Sequence, residues 1–130
     1  MTAAERRSEV CRRWQAKPFM EGDEAVLIYF SSDRLVLATS TLAPGQKSSR
    51  DPGHAGAHEV VYCVRGEITL EIGDGDGEFL RLMAGDGALV REGVAHAVFN
   101  TGGETAEMVW CTAPSLGRPA VYEEDAGPRR

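Results

Sequence analysis

The chain of 130 residues has no Cys-x-x-Cys pair, and its three cysteines, Cys11, Cys63 and Cys111, are odd in number and far apart. Neither a zinc ribbon nor a disulfide framework is expected from such a pattern. Cys63 and Cys111 sit inside apolar stretches and read as small buried hydrophobes. Long hydrophobic runs are missing too: the longest, Ala25 to Phe30, is far too short to cross a bilayer as a helix, so no membrane partner is expected. Basic charge is in deficit, with 14 Lys and Arg against 20 Asp and Glu, a net charge of −6. A nucleic-acid partner would call for a basic face, and none is expected. Arg6, Arg7, Arg12 and Arg13 have no apolar segment behind them, which is not the pattern of a secretory signal. The expectation is a cytoplasmic protein.

What the chain does have is glycine, 15 of them. Many tight turns imply many short strands. Residues 1–20 form a basic arm, in which Val10 and Trp14 stand four apart as on one face of a short helix; a frayed terminal arm is the alternative. From Glu24 the pattern changes to short apolar runs cut by glycine and aspartate. Strands are predicted at 25–30, 34–42, 59–64, 67–72, 78–83, 88–91, 95–100 and 107–112, with a Pro- and Gly-bearing loop over 43–57. The run Gly73-Asp74-Gly75-Asp76-Gly77 is a hairpin tip, and its aspartates lack the spacing of a calcium loop. Eight short strands with frequent turn signals predict an all-β sandwich or barrel over 21–113, followed by a C-terminal tail over 114–130.

Chemistry concentrates in two places. Between Gly85 and Asn100, glycines at 85 and 93 allow sharp reversals, and His96, Val98 and Asn100 fall on one face of a strand by the two-residue period. An imidazole there points into the barrel if Val98 does. This stretch resembles the second motif of the cupins, G-x5-P-x-G-x2-H-x3-N, with Arg91 at the proline. The first cupin motif is half present: Glu59 and Gly66 have its spacing, His54 fits its second histidine, and Pro52, beside Asp51, stands where its first histidine would be. The resemblance implies a jelly-roll-like double-stranded β-helix. It also implies a divalent-metal site, with iron, zinc, manganese or nickel as the candidate ions, built on Glu59 and His96 with His54 as third ligand. His58 is the substitute ligand, although strand alternation turns it away from Glu59. Imidazole with carboxylate suits those ions, and a buried carboxylate needs a cation beside it. A metal-free pocket that keeps Glu59 and His96 is the other reading.

A second resemblance bears on activity. The segment from His58 to Glu67, with Tyr62-Cys63 at its centre, is similar to a segment of ectoine synthases, small cupins that close a ring by eliminating water. The tail at 114–118 and 123–127 resembles the end of the same enzymes. In that family a glutamate, a tyrosine and a histidine hold iron; these fall on Glu59, Ala88 and His96 here, so the tyrosine is absent. The expectations that follow are a metal-dependent lyase, cyclase or isomerase on a small polar metabolite. An iron-dependent dioxygenase or a non-catalytic, metal-free binding module are the alternatives. Glu59 and His96 are the catalytic candidates. On Glu59's face, Cys63 is expected to pack and Arg65 is a candidate for a substrate carboxylate; Tyr62, on the other face, is expected to pack, and Trp110 to be cavity wall or core. A homodimer is expected by analogy, with residues 25–30 as the exchanging strand.

Overall fold

The computed structural model describes residues 2–3, 7–75 and 77–114. Among these residues a 3-10 turn at Arg13–Gln15 is followed by nine strands: β1 Lys17–Glu21, β2 Glu24–Ser31, β3 Val36–Leu42, β4 His58–Arg65, β5 Glu67–Ile72, β6 Glu78–Met83, β7 Gly87–Val90, β8 His96–Asn100 and β9 Ala106–Ala113. They build a six-stranded sheet in the order β1-β2-β3-β9-β4-β7 and a three-stranded sheet in the order β6-β5-β8. Every pairing is antiparallel. The fold is a jelly-roll barrel of two packed sheets.

The sequence explains why these segments are strands. Buried and less buried residues alternate strictly along β3, and along β9 as far as Thr112. In register, Cys63 lies beside Met108, Val61 beside Trp110 and Glu59 beside Thr112, so one interior face runs from apolar to polar along β4 and β9. At the apolar end Leu42, Cys63, Ile68, Leu70 and Met108 are each no more than 1% exposed. Burial of such side chains contributes roughly 1.5–3 kcal/mol each and closes that end of the barrel. Asn100, the last residue of the second motif, works there too: its Nδ2 donates to the carbonyls of Leu42 and Glu104 at 2.9 and 2.8 Å. The motif's asparagine thus ties loops together.

Most strands fall within a residue of the sequence expectation at each end, and the larger departures lie near the N-terminal side. Among its described residues the basic arm forms a 3-10 turn and no longer helix, and its last part is β1, an edge strand. Pro18 disguises that strand, because a residue without an N–H is tolerated in a sheet only at an edge. β3 begins at Val36, two residues late, since Ser32 caps a turn with its Oγ accepting from the Arg34 and Leu35 amides. The 43–57 loop is irregular, as expected from its prolines and glycines, yet it runs along β8 and bridges to it at Lys47–Phe99 and Asp51–His96. The Asp51 and His96 backbones exchange two hydrogen bonds, of 2.8 and 2.9 Å. Asp76 and the tail resemblance, apart from Pro114, lie outside the described residues.

Candidate functional site

At the polar end of the barrel, β4 contributes Glu59, β8 contributes His96, and the loop riding on β8 contributes Asp51 and His54. Glycine makes this convergence possible. Gly53 has φ +97°, and a Cβ on it would stand 2.7 Å from the Gly93 carbonyl carbon. The loop therefore lies flush against the turn that launches β8, and the Gly93 amide donates to the His54 carbonyl at 3.0 Å.

The side chains meet closely. Glu59 Oε1 is 2.9 Å from His96 Nε2 and 3.6 Å from His54 Nε2. Asp51 Oδ2 is 3.4 Å from His54 Nε2 and 3.9 Å from His96 Nε2. One ligand atom each from Asp51, Glu59 and His96 lies within 4.8 Å of the others, a spacing able to hold a metal ion. Supporting bonds orient these groups. Thr112 Oγ1 donates to Glu59 Oε2 at 2.9 Å, and the Gly53 amide donates to Asp51 Oδ1 at 2.8 Å. His96 Nδ1 is 3.2 Å from the Val94 carbonyl, which can only accept, so Nδ1 carries the proton.

That last bond decides the chemistry. With its proton on Nδ1, a neutral His96 turns the Nε2 lone pair toward Glu59 Oε1, and two acceptors 2.9 Å apart repel unless a cation or a proton lies between them. Glu59 Oε1 and His54 Nε2 are buried without an aligned hydrogen-bond partner despite these short approaches. A donor set of two carboxylates and two imidazoles, with orphaned lone pairs and ligand-orienting bonds behind them, fits a divalent ion. Without a metal, protons take the cation's place. The close approach of the Asp51 carboxylate, then of the Glu59 carboxylate, lifts His54 from 6.5 to about 10. Burial pulls His96 down, but Glu59, with Asp51 and the Val94 carbonyl, more than reverses this and the His96 pKa is raised. Burial likewise pushes Asp51 and Glu59 up, and the neighbouring imidazoles bring both below the ordinary carboxylate range.

The cavity in front of these groups offers about 60 Å³ to the centres of water-sized molecules, and Asp51, Glu59, His96, Trp110 and Glu24 are among its lining residues. At about 10–15 Å³ per water, that is room for a few waters or a small metabolite.

Of the residues singled out from sequence, Glu59, His96 and His54 come together. His58 does not: it lies exposed on the outer face of β4, where its Nδ1 accepts from the Glu92 amide at 3.0 Å. The alternation that turned it away holds, with no bulge at that point. Arg65 is also outside the cavity. The β4–β9 register shifts between Cys63 and Arg65, and the guanidinium, half exposed, reaches Glu104 and Glu107. Cys63 is packed in the core, while Tyr62 is half exposed on the outer face instead of packed. Trp110 is cavity wall, and its Nε1 donates to Ser40 Oγ at 2.8 Å. Asp51 and Glu24 were not singled out. The signal for Asp51 was its place beside Pro52, where the first motif lacks its histidine; for Glu24 it was a carboxylate opening an apolar run.

A small antiparallel barrel with imidazoles and carboxylates gathered at one end defines the class of protein. The cupin-domain family model matches residues 38–112, more than half of the chain, and the chain belongs to the cupin family. Among curated proteins none matches it. Solved structures share the fold at low identity. A Thermotoga maritima protein described as a predicted oxalate decarboxylase is 20% identical, with a TM-score of 0.68 over 81% of this chain and 98% of its own. The iron(II) form of HppE is 18% identical, with a TM-score of 0.71 over 81% of this chain and 60% of its own. KdgF from a Halomonas species is 15% identical, with a TM-score of 0.66 over 82% and 94%.

Proposed function

We propose that this cupin is a metal-dependent enzyme of the lyase, cyclase or isomerase type acting on a small polar metabolite. The observation that carries the reading is the pair of facing acceptors, Glu59 Oε1 and His96 Nε2 at 2.9 Å, with His96 Nδ1 committed to Val94. Asp51, Glu59 and His96, joined by His54, would hold the ion. When bound, the metal supplies Lewis acidity toward a substrate oxygen. The chain's own residues do the rest. Thr112 and the Gly53 amide hold the carboxylates in place, Val94 fixes the imidazole tautomer, and Val98, Ile28 and Val36 keep the cavity apolar around the reacting groups. The small volume favours a metabolite of few heavy atoms.

The test is turnover of small hydroxy, keto and amino acids by chelated protein and by protein reloaded with Mn²⁺, Fe²⁺ or Zn²⁺. Loss of water or an isomerised product, restored by metal without oxygen uptake, is the expected result. Oxygen uptake restored by iron alone would make the protein a dioxygenase instead. A second reading has its own support: two imidazolium ions against two carboxylates balance the site's charge without metal. Small-molecule binding that survives chelator, with no turnover, would favour that metal-free binding role. We also propose a homodimer. Within one chain, residues 25–28 pair with β1 on one side and β3 on the other, so exchange of residues 25–30 would require β1 to give way. Support comes from the outer face, where Val60, Tyr62 and Leu89 are exposed together on the neighbouring strands β4 and β7.

A further inference from the structure

Glu24 opens β2 and is 5% exposed, yet the Asp51–Glu59–His96 cluster does not include it. It lines the same cavity. Ser40 Oγ donates to its Oε2, and the same Oγ accepts from Trp110 Nε1 and lies 3.9 Å from Met108 Sδ. No Lys or Arg forms an ion pair with Glu24 among the described residues. A carboxyl so buried is costly to keep unless it is used or can be neutral.

The hydrogen bonds around Ser40 accommodate both forms of this carboxyl. A serine hydroxyl has one hydrogen and two lone pairs, and an indole N–H can only donate. One lone pair of Ser40 therefore belongs to Trp110 in every state. When Glu24 is ionised, the Ser40 hydrogen points at Oε2. When Glu24 is protonated, its own O–H donates to the second Ser40 lone pair, and the Ser40 hydrogen turns to Met108 Sδ. Neither state leaves a group stranded.

We propose that Glu24 is the proton-exchanging carboxyl of this cavity, an acid distinct from the metal-site groups that gives a proton to a substrate held against Glu59 and His96. The proposal rests on reading the cavity as a substrate site. In the forward step the Glu24 O–H turns from Ser40 to the substrate, the O–H bond breaks with its electron pair staying on the carboxylate, and the proton goes to a lone pair on a substrate oxygen or nitrogen. Ser40 swings its hydrogen from Met108 to Oε2 to meet the new charge. The carboxylate regains a proton from solvent hydronium once the product has left. The substrate class that follows is a small molecule that carries a hydroxyl, carbonyl or amine for Glu24 besides the group held at the metal site, since both line one cavity.

The surroundings suit an acid that works near neutrality. Burial lifts Glu24 from 4.5 to about 7; Ser40 opposes this, Glu21 on β1 and Glu59 on β4 add to it, and His96 on β8 opposes it. Infrared difference spectra of the purified full chain, taken on either side of about pH 7, test the proposal directly. A protonated-carboxyl C=O band that fades through neutrality is expected, absent from Glu24→Gln and retained in Glu59→Gln. Ser40→Ala is expected to move its midpoint upward and Ser40→Thr to restore it, which keeps the test open if Glu24→Gln folds poorly. In the reaction identified for the protein, Glu24→Gln is expected to lower kcat by about 10²- to 10⁴-fold and to leave Mn²⁺ affinity unchanged. A band that persists in Glu24→Gln, or a wild-type protein with no such band, overturns the proposal. Absence of Mn²⁺ binding in the wild type would overturn the metal reading instead and leave the infrared result to stand on its own.

Discussion

Glu24 and Glu59 are the same residue type, line the same cavity and are buried almost equally, at 5% and 9% exposure. Their acidities nevertheless part. Burial pushes both upward, but Glu59 lies against His54 and His96 and falls below its ordinary range, whereas Glu24 has a serine hydroxyl and rises to about 7. Depth does not decide the charge of a buried acid here; the partner does. The result is a cavity with an anionic pole fit for a metal and a neutral-acid pole fit for proton delivery. Carboxyl groups driven apart in this way mark a division of labour in acid-base sites.

The sharpest way to break the comparison is to make the same substitution at both acids. In metal-free protein at about pH 8, Glu59→Gln is expected to destabilise by about 3–5 kcal/mol, the cost of removing one partner from a buried charged set. Glu24→Gln should do the reverse at that pH. The folded pKa of Glu24 is raised from 4.5 to about 7, so its protonated form stabilises the fold fully below the unfolded value, and that contribution is lost as pH rises through about 7. Replacing it with a neutral amide should therefore stabilise by up to roughly 3 kcal/mol above about pH 7, with the gain vanishing below about 4.5. Urea denaturation at both pH values measures both; gains or losses of the same sign at pH 8 would erase the distinction between the poles.

Smaller effects sharpen it. Thr112→Val removes the donor to Glu59 Oε2 and is expected to weaken Mn²⁺ binding by about 10- to 100-fold while costing about 1 kcal/mol of stability. Calorimetric titration with Mn²⁺ measures the first and thermal unfolding the second. His58→Ala, on the outer face of the same strand, should leave Mn²⁺ affinity and cavity chemistry where they were. A loss there would mean that the outer face of β4 communicates with the site.

Much of this arrangement was readable from the chain. Alternation in β3 and β4, the glycines at 66, 85 and 93, and the spacing of Glu59 and His96 all express local rules of pleat and turn, and these hold in the fold. What escaped reading has a physical reason in each case. β1 is short and carries Pro18, which erases the strand signal although an edge tolerates it. Arg65 obeyed alternation on paper, but the register shift after Cys63 sends it outward, and a bulge leaves little trace in the order of residues. Asp51 reaches the site through a loop that hydrogen-bonds to β8 without periodicity of its own. Glu24 faces inward because β2 packs its Val26 and Ile28 inward, a long-range fact that one charged residue at a strand start does not reveal.

We propose that Asp51, His54, Glu59 and His96 together hold a divalent ion. Elemental analysis of freshly purified wild-type, Glu59→Gln and His96→Ala proteins tests it most directly. Close to one divalent ion per chain in the wild type, and almost none in either variant, is the result the geometry predicts. Equal metal content in all three proteins would contradict it.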